Sequence, residues 1–545
     1  MVATSWPASP ISSDLTSGPA GKSGLLVTEQ TVLDGTGREG RNRVGDSRIT
    51  KVVIVGGGTA GWMAAAALSR TMDHLSIRLV ESDEIGTVGV GEATIPAIRL
   101  FNALIGIDEN EFIRETGGTF KLGIQFHDWG RIGDVYMHAF GQIGRSLGML
   151  PFQQYWLRGR NEGVAGRLGD YSLNETAGRQ NRFARLPQIP GTSLDGIAYA
   201  FHFDAALYAA YLRKVAEAAG VLRTEGKIAS VRRNGDSGHV EAVMLEDGTA
   251  IEGELFIDCS GFRALLIEDA LETGFEDWTH WLPCDRAIAV PSENAGLARP
   301  YTQAIAHKAG WQWRIPLQHR TGNGHVFCSD FISEDEATAV LLANIEGAPL
   351  AEPRTLRFRT GMRKQAWNAN VVALGLASGF LEPLESTSIH LIQNGIAKLL
   401  AHFPDRDFDA ANIDAYNRRV RFDYERIRDF VILHYHANQR TDAPFWIRCR
   451  EMGIPDTLAQ KIELFRSQGQ IVREGDELFI EIGWFQVLTG QNIMPGGYHP
   501  MADQLTGDEL AGFFADIETI VARTASHLPT HDQFIAQHCA AGVPA

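Results

Sequence analysis

Cysteine is scarce in this chain. Five residues among 545 (Cys259, Cys284, Cys328, Cys449 and Cys539) lie far apart, with no CxxC pair. This argues against a disulfide scaffold and a structural zinc site, and a reducing, cytoplasmic setting is expected. Basic charge is also in deficit, giving a net charge of −16. That balance argues against nucleic acid or an anionic membrane surface as partner. Apolar runs fall short of the roughly 20 residues that span a bilayer, so no membrane helix is expected. The N-terminus lacks a basic start followed by an apolar core, so it does not read as a secretory signal. No internal repeat is visible. With 44% hydrophobic and 21% charged residues, the composition is that of a globular protein.

Glycine, by contrast, is plentiful at 57 residues. Residues 1–48 mix Ser, Pro, Gly and Thr without period and read as an extension outside the fold. Lys51-Val-Val-Ile-Val55 is a short β-branched run, the pattern of a buried parallel strand. A glycine turn follows, then a small-residue helix from Trp62 to about Arg70. A second strand, Ser76 to Val80, ends at Glu81. Further helices are expected at Ala97–Leu104 and Asp204–Ala219, the latter with Asp204 as N-cap and Gly220 as the stop. Residues 227–258 read as hairpins with turns at Asn234-Gly235 and Asp247-Gly248, returning in the buried strand Leu255–Asp258. Ile413, Tyr416, Val420, Tyr424, Ile427 and Val431 mark one face of a long helix. The expected fold is α/β, Rossmann-like, with a mainly helical C-terminal region. Residues 49–400 form its body and 401–545 a cap.

Gly56, Gly58 and Gly61 spell G-x-G-x-x-G between strand and helix, and Glu81 lies twenty residues beyond the last glycine. The first glycine permits the turn and the second lets backbone approach a pyrophosphate. The third allows close packing of the helix, whose N-terminus faces the phosphate charge. The acid can bind a ribose hydroxyl. A dinucleotide site is the reading. The motif alone does not choose FAD over NAD, and Leu255–Gly261, a second apolar strand ending in Asp and Gly, leans toward FAD.

Four segments carry a more specific signal: Val55–Trp62, Gly89–Pro96, Trp311-Gln-Trp-Arg-Ile-Pro316 and Phe380–Thr387. Together they resemble the flavin-dependent halogenases of the tryptophan halogenase type, from about Lys51 into the C-terminal helices. The resemblance implies a flavin monooxygenase-type fold that binds FAD, used as FADH2. A separate NAD(P)H-dependent flavin reductase would supply the reduced flavin. Oxygen and a halide, chloride or bromide, would then yield hypohalous acid. That species would pass down an internal channel to an aromatic substrate and halogenate it by electrophilic substitution. A homodimer is a further family-level expectation.

The resemblance also assigns residues. Lys121 matches the essential lysine that meets the oxidant, and Glu385 the glutamate beside it. Thr59, Ala60, Ala93, Leu376 and Ile389 join the glycines and Glu81 at the cofactor, and Thr387 and Ser388 fall at the halide. Ser388 stands where the familiar tryptophan halogenases have glycine, which keeps the backbone donor. Trp311 and Trp313 match the wall between flavin and substrate, and His138 and Phe140 positions lining the substrate end. Glu382 reads as structural, and no role transfers to His390. The late segment Asp476–Val487 does not reproduce the aromatic and acidic clamp that holds free tryptophan. The expected substrate is therefore an indole or another electron-rich aromatic. Free L-tryptophan, and hydroxylation by a flavin monooxygenase, are the alternatives.

Overall fold

The computed structural model describes residues 47–85 and 91–542. The expected extension over 1–48, apart from its last two residues, lies outside them, as do Gly89 and Val90 of the second motif. One compact unit begins at Ser47. Its nucleotide-binding layer is a six-stranded sheet. The strand order is Trp367–Asn368, Val371–Ala373, Leu255–Asp258, Lys51–Val55, Ser76–Glu81 and Leu222–Glu225. All neighbours are parallel except the first pair. Val52 to Val55 are buried, as expected of a strand covered on both faces.

The helix after the glycine turn spans Thr59–Thr71, three residues earlier than the small-residue run suggests. Gly58 is its N-cap and offers no capping side chain. Gly56 has φ +106°, and an added Cβ would run into the Cys259 carbonyl. Gly61 packs against the Gly56 carbonyl, again with no room for a side chain. Ala97–Leu104 is helical. Asp204 caps the Ala205–Ala218 helix by accepting from the amides of Ala206 and Leu207. The two hairpins form through the strands Ile228–Arg233, Val240–Leu245 and Ala250–Glu252.

A second, seven-stranded sheet runs in the order Arg354–Arg357, Arg286–Ser292, Thr321–Phe327, Gly310–Pro316, Thr302–His307, Gly123–His127 and Val135–Ala139. It carries both tryptophans of W-x-W-x-I-P and His138. A small sheet of Glu92–Ala93, Ala200–Phe203 and Thr119–Lys121 holds Lys121. The predicted long helix spans Ala410–His436, and the periodic residues Tyr416, Val420, Tyr424, Ile427 and Val431 are all buried. Most of the chain beyond it is also helical. Among the described residues, no helix is long and apolar enough to cross a membrane.

Candidate active site

A cavity of about 930 Å³ opens at the C-terminal ends of the parallel strands. Gly56 to Ala60, Glu81, Ala93, Leu376 and Ile389 line it, as does Ser260-Gly261 after the Leu255–Asp258 strand. Gly61 does not line it; its part is the close packing of the turn. The site fits a dinucleotide on three counts. The glycine cradle has no space for a Cβ at Gly56, the Thr59–Thr71 helix points its N-terminus at the cavity, and an acid stands at the end of the second strand. Glu81 lies against Gly57, and its Oε1 accepts from Arg223 Nε at 2.5 Å. Sequence reasoning missed Arg223, which comes from a neighbouring strand far along the chain.

The Leu381–Ser388 segment partitions the site. Pro383, Ser386 and Ser388 face the cavity. Ser386 adopts a left-handed conformation, φ +59°, unusual for a residue with a Cβ. Its Oγ accepts from Lys121 Nζ at 2.8 Å, and the Thr94 carbonyl accepts from the same amine at 2.9 Å. Lys121 has no exposed surface. Its amine lies over the Phe140 ring, 5.2 Å from the centroid. Burial pulls the Lys121 pKa down, the charge on Glu385 opposes it, and the result is about 7.

Glu385 turns away from the cavity, into a cage of imidazoles. His138 Nδ1 lies 3.0 and 2.9 Å from its two carboxylate oxygens. His434 Nε2 approaches Oε1 to 2.8 Å from the long helix. Burial pushes the Glu385 pKa up, but His138 and His434 outweigh it and take it down to about 2. His434 escaped the sequence reading. It continues the periodic stripe, one step of three beyond Val431, so a polar residue on the helix's buried face was the available signal.

Glu382 belongs elsewhere. It is buried, and its Oε2 accepts from Tyr435 OH at 2.9 Å and from Trp311 Nε1 at 3.3 Å. Burial raises its pKa, hydrogen bonds from Tyr435 and Trp311 oppose this, and it settles at about 7. Trp313 lines the cavity, and Trp311 sits beside it with ring centroids 6.2 Å apart. Thr387 is the N-cap of the Ser388–Ala401 helix, fully buried, with no partner for its Oγ1 among the described residues. A helix N-terminus with an unpaired hydroxyl beside the cofactor cavity suits a small anion.

On the far side, the late segment packs closely. Phe479 stacks on Phe430 at 3.9 Å, and Trp484 meets Phe430 edge-on at 4.8 Å. Glu477 is buried and paired with Lys461 at 2.7 Å. Gly483 abuts His138, where an added Cβ would fall 2.9 Å from Nε2. The sequence-level site residues thus form two groups, one around the cofactor cavity and one around Lys121 and Glu385, meeting at Ser386.

Comparisons with known proteins bear on the family and the fold. The tryptophan halogenase family model matches residues 51–507. Tryptophan 7-halogenase RebH of Lentzea aerocolonigenes is 32% identical over 90% of this chain and 99% of its own. The structure of Xcc4156, a flavin-dependent halogenase from Xanthomonas campestris, superposes with a TM-score of 0.89. It is 49% identical and covers 91% of this chain and all of that one. BrvH, a flavin-dependent halogenase from Brevundimonas sp. BAL3, gives a TM-score of 0.87 and 46% identity, covering 90% of this chain and all of its own. The chain belongs to the tryptophan halogenase family of flavin-dependent halogenases, enzymes with a mixed α/β, flavin-binding fold.

Proposed function

We propose that the enzyme uses FAD in its reduced form, together with oxygen and chloride or bromide, to halogenate an electron-rich aromatic of the indole type. Gly56, Gly58, Thr59, Ala60, Glu81, Ala93, Leu376 and Ile389 hold the flavin, with Gly61 closing the turn beneath it. Thr387 and Ser388 hold the halide at the helix N-terminus. When bound, the reduced flavin supplies, with oxygen and halide, the electrophilic halogen as hypohalous acid. A separate flavin reductase provides the reducing equivalents.

The chain's own residues do the rest. Trp311 and Trp313 wall the cofactor cavity from the aromatic. Lys121, dry and with a pKa near 7, is available as a neutral amine to take or orient the oxidant. Glu385 stays anionic, stabilises the cationic ring and accepts its proton. His138 and Phe140 line the substrate end. The single observation that carries this reading is Lys121 itself: its amine is fully buried and bonded to Ser386, which lines the cofactor cavity. We further propose that residues 49–400 form the catalytic body and 401–545 a helical cap, with residues before 49 dispensable for catalysis.

The late segment supports indole over free tryptophan. Its buried acid, Glu477, is already committed to Lys461 and is not free to meet an α-amino group. An acid already held in an ion pair gives an amino acid's charged end little to bind. The test is direct. Protein, FAD, a generic flavin reductase, NADH, oxygen and either halide are incubated with an indole panel and L-tryptophan. Mass spectrometry reads the halogen isotope pattern. Halogenated indole is the expected product; a hydroxylated product indifferent to halide would assign a monooxygenase instead. Tryptophan turned over far more efficiently than indole would overturn the substrate assignment.

A further inference from the structure

Glu385 has two imidazoles where orientation needs one. His138 takes both carboxylate oxygens, and His434 stands 2.8 Å from Oε1 with no exposed surface. The second imidazole is itself held. Gln491 Nε2 donates to Tyr136 OH at 3.3 Å, and that hydroxyl lies 3.3 Å from His434 Nδ1. With the Tyr136 oxygen already accepting from Gln491, its proton is free for Nδ1. That leaves the ring's remaining proton on Nε2, facing the carboxylate. Gln491 Nε2 also donates to the His434 carbonyl at 3.0 Å, and Phe126 stacks on the ring with centroids 4.7 Å apart. Tyr136 and His138 project from the same side of one strand, two residues apart, so a single element sets both imidazole contacts.

The Nε2–H is not aligned on Oε1 well enough for a full hydrogen bond. Such contacts commonly tighten only when a reacting complex forms. The titratable groups facing His434 are Glu385, Tyr136 and His138, and Lys121 acts on the group through Glu385. Burial disfavours a charged imidazole at His434, whereas the Glu385 carboxylate favours one. A neutral donor fits a ring locked by Tyr136.

We propose that His434 is a positioning residue of the halogenation site: locked as the Nε2–H tautomer by Tyr136, it holds the Glu385 carboxylate in one orientation and in its anionic form. The inference rests on the halogenase reading and adds to it a residue outside the matched motifs. Without His434, a buried carboxylate with one remaining imidazole binds a proton more readily, and its base strength is lost at mildly acidic pH.

The experiment compares wild type, His434→Phe, His434→Gln and Tyr136→Phe in the reductase-coupled assay with indole and bromide, across pH. The readouts are kcat, KM and flavin affinity. His434→Phe should lower kcat by roughly tenfold or more. It should also move the acid limb of the pH profile upward, with KM for indole and flavin affinity within about twofold of wild type. His434→Gln, which keeps a donor toward Glu385 and an acceptor toward Tyr136, should recover most of kcat and the wild-type acid limb. Tyr136→Phe should move the limb in the same direction by less. An unmoved pH profile in both His434→Phe and Tyr136→Phe overturns the assignment, as does His434→Gln performing no better than His434→Phe. If His434→Phe does not fold, Tyr136→Phe must move the limb and His434→Gln must keep the wild-type limb, or the assignment falls. A wild type that halogenates no arene removes the halogenase reading, and this inference with it. An active wild type beside unaffected variants removes the inference alone.

Discussion

Ser386 Oγ accepts a hydrogen bond from Lys121 Nζ at 2.8 Å while lining the cofactor cavity, so one hydroxyl touches both halves of the site. Ser386→Ala keeps the backbone and removes this contact. Halogenated product should fall by about tenfold or more, while reduced flavin is still consumed by oxygen at the wild-type rate. Product per flavin oxidised is the quantity to measure. A ratio equal to wild type would reduce Ser386 to a spectator.

Burial of Lys121 makes a signed prediction about stability. A free lysine titrates near 10.5 and this one near 7. Between those values the unfolded chain holds a proton that the folded chain has shed, so wild-type stability rises with pH across that window. Below pH 7 both states are protonated and the cost of burying the charge is felt in full. Lys121→Met removes the term. Its melting temperature should therefore exceed that of wild type most at pH 6, with the gap narrowing by pH 9. A gap that widens with pH would place the amine in a different environment.

Glu385→Gln preserves shape and removes charge. Product formation should drop by about 100-fold, because an amide neither accepts the ring proton nor stabilises the cationic ring. The same substitution removes the Coulombic effect that holds the Lys121 pKa up, so the lysine should titrate lower than in wild type. Selective labelling of the amine against pH, read by peptide mass spectrometry, checks the second effect. An unshifted lysine would mean that the two charges do not sense each other.

Gly56→Ala tests the cofactor cradle. Its φ of +106° and the Cys259 carbonyl leave no place for a methyl group. Backbone strain alone should cost about 1–3 kcal/mol, and the displaced turn should weaken flavin binding. Chemical denaturation and quenching of FAD fluorescence measure the two. Normal affinity and stability would place the flavin elsewhere.

Much of this layout was legible in the sequence. The Lys51–Val55 strand, its glycine turn and Glu81 follow a fixed spacing, because a phosphate-facing helix needs backbone without side chains at set positions. Tyr416 to Val431 announced their helix through period alone. Arg223 was hidden because it reaches Glu81 across a sheet, from a strand with no motif of its own. His434 shares the buried stripe of Tyr416 to Val431, but period alone does not say what a polar residue there touches, and Ser386 is hidden differently. The partition in the Leu381–Ser388 segment depends on which side chains turn toward which compartment, and on a left-handed Ser386 that no local pattern demands. The first helix starts at Thr59 and not Trp62, because the glycine turn closes within Gly56–Gly58 and Thr59, Ala60 and Gly61 already form its first turn.

The most direct measurement compares wild type with Lys121→Ala in the reductase-coupled assay with indole, bromide and limiting reduced FAD. Flavin oxidation and brominated product are followed together. Both proteins should bind FAD and oxidise its reduced form at similar rates, with the bromine isotope doublet appearing in the wild-type product alone. Brominated indole formed by Lys121→Ala at the wild-type rate would contradict the account.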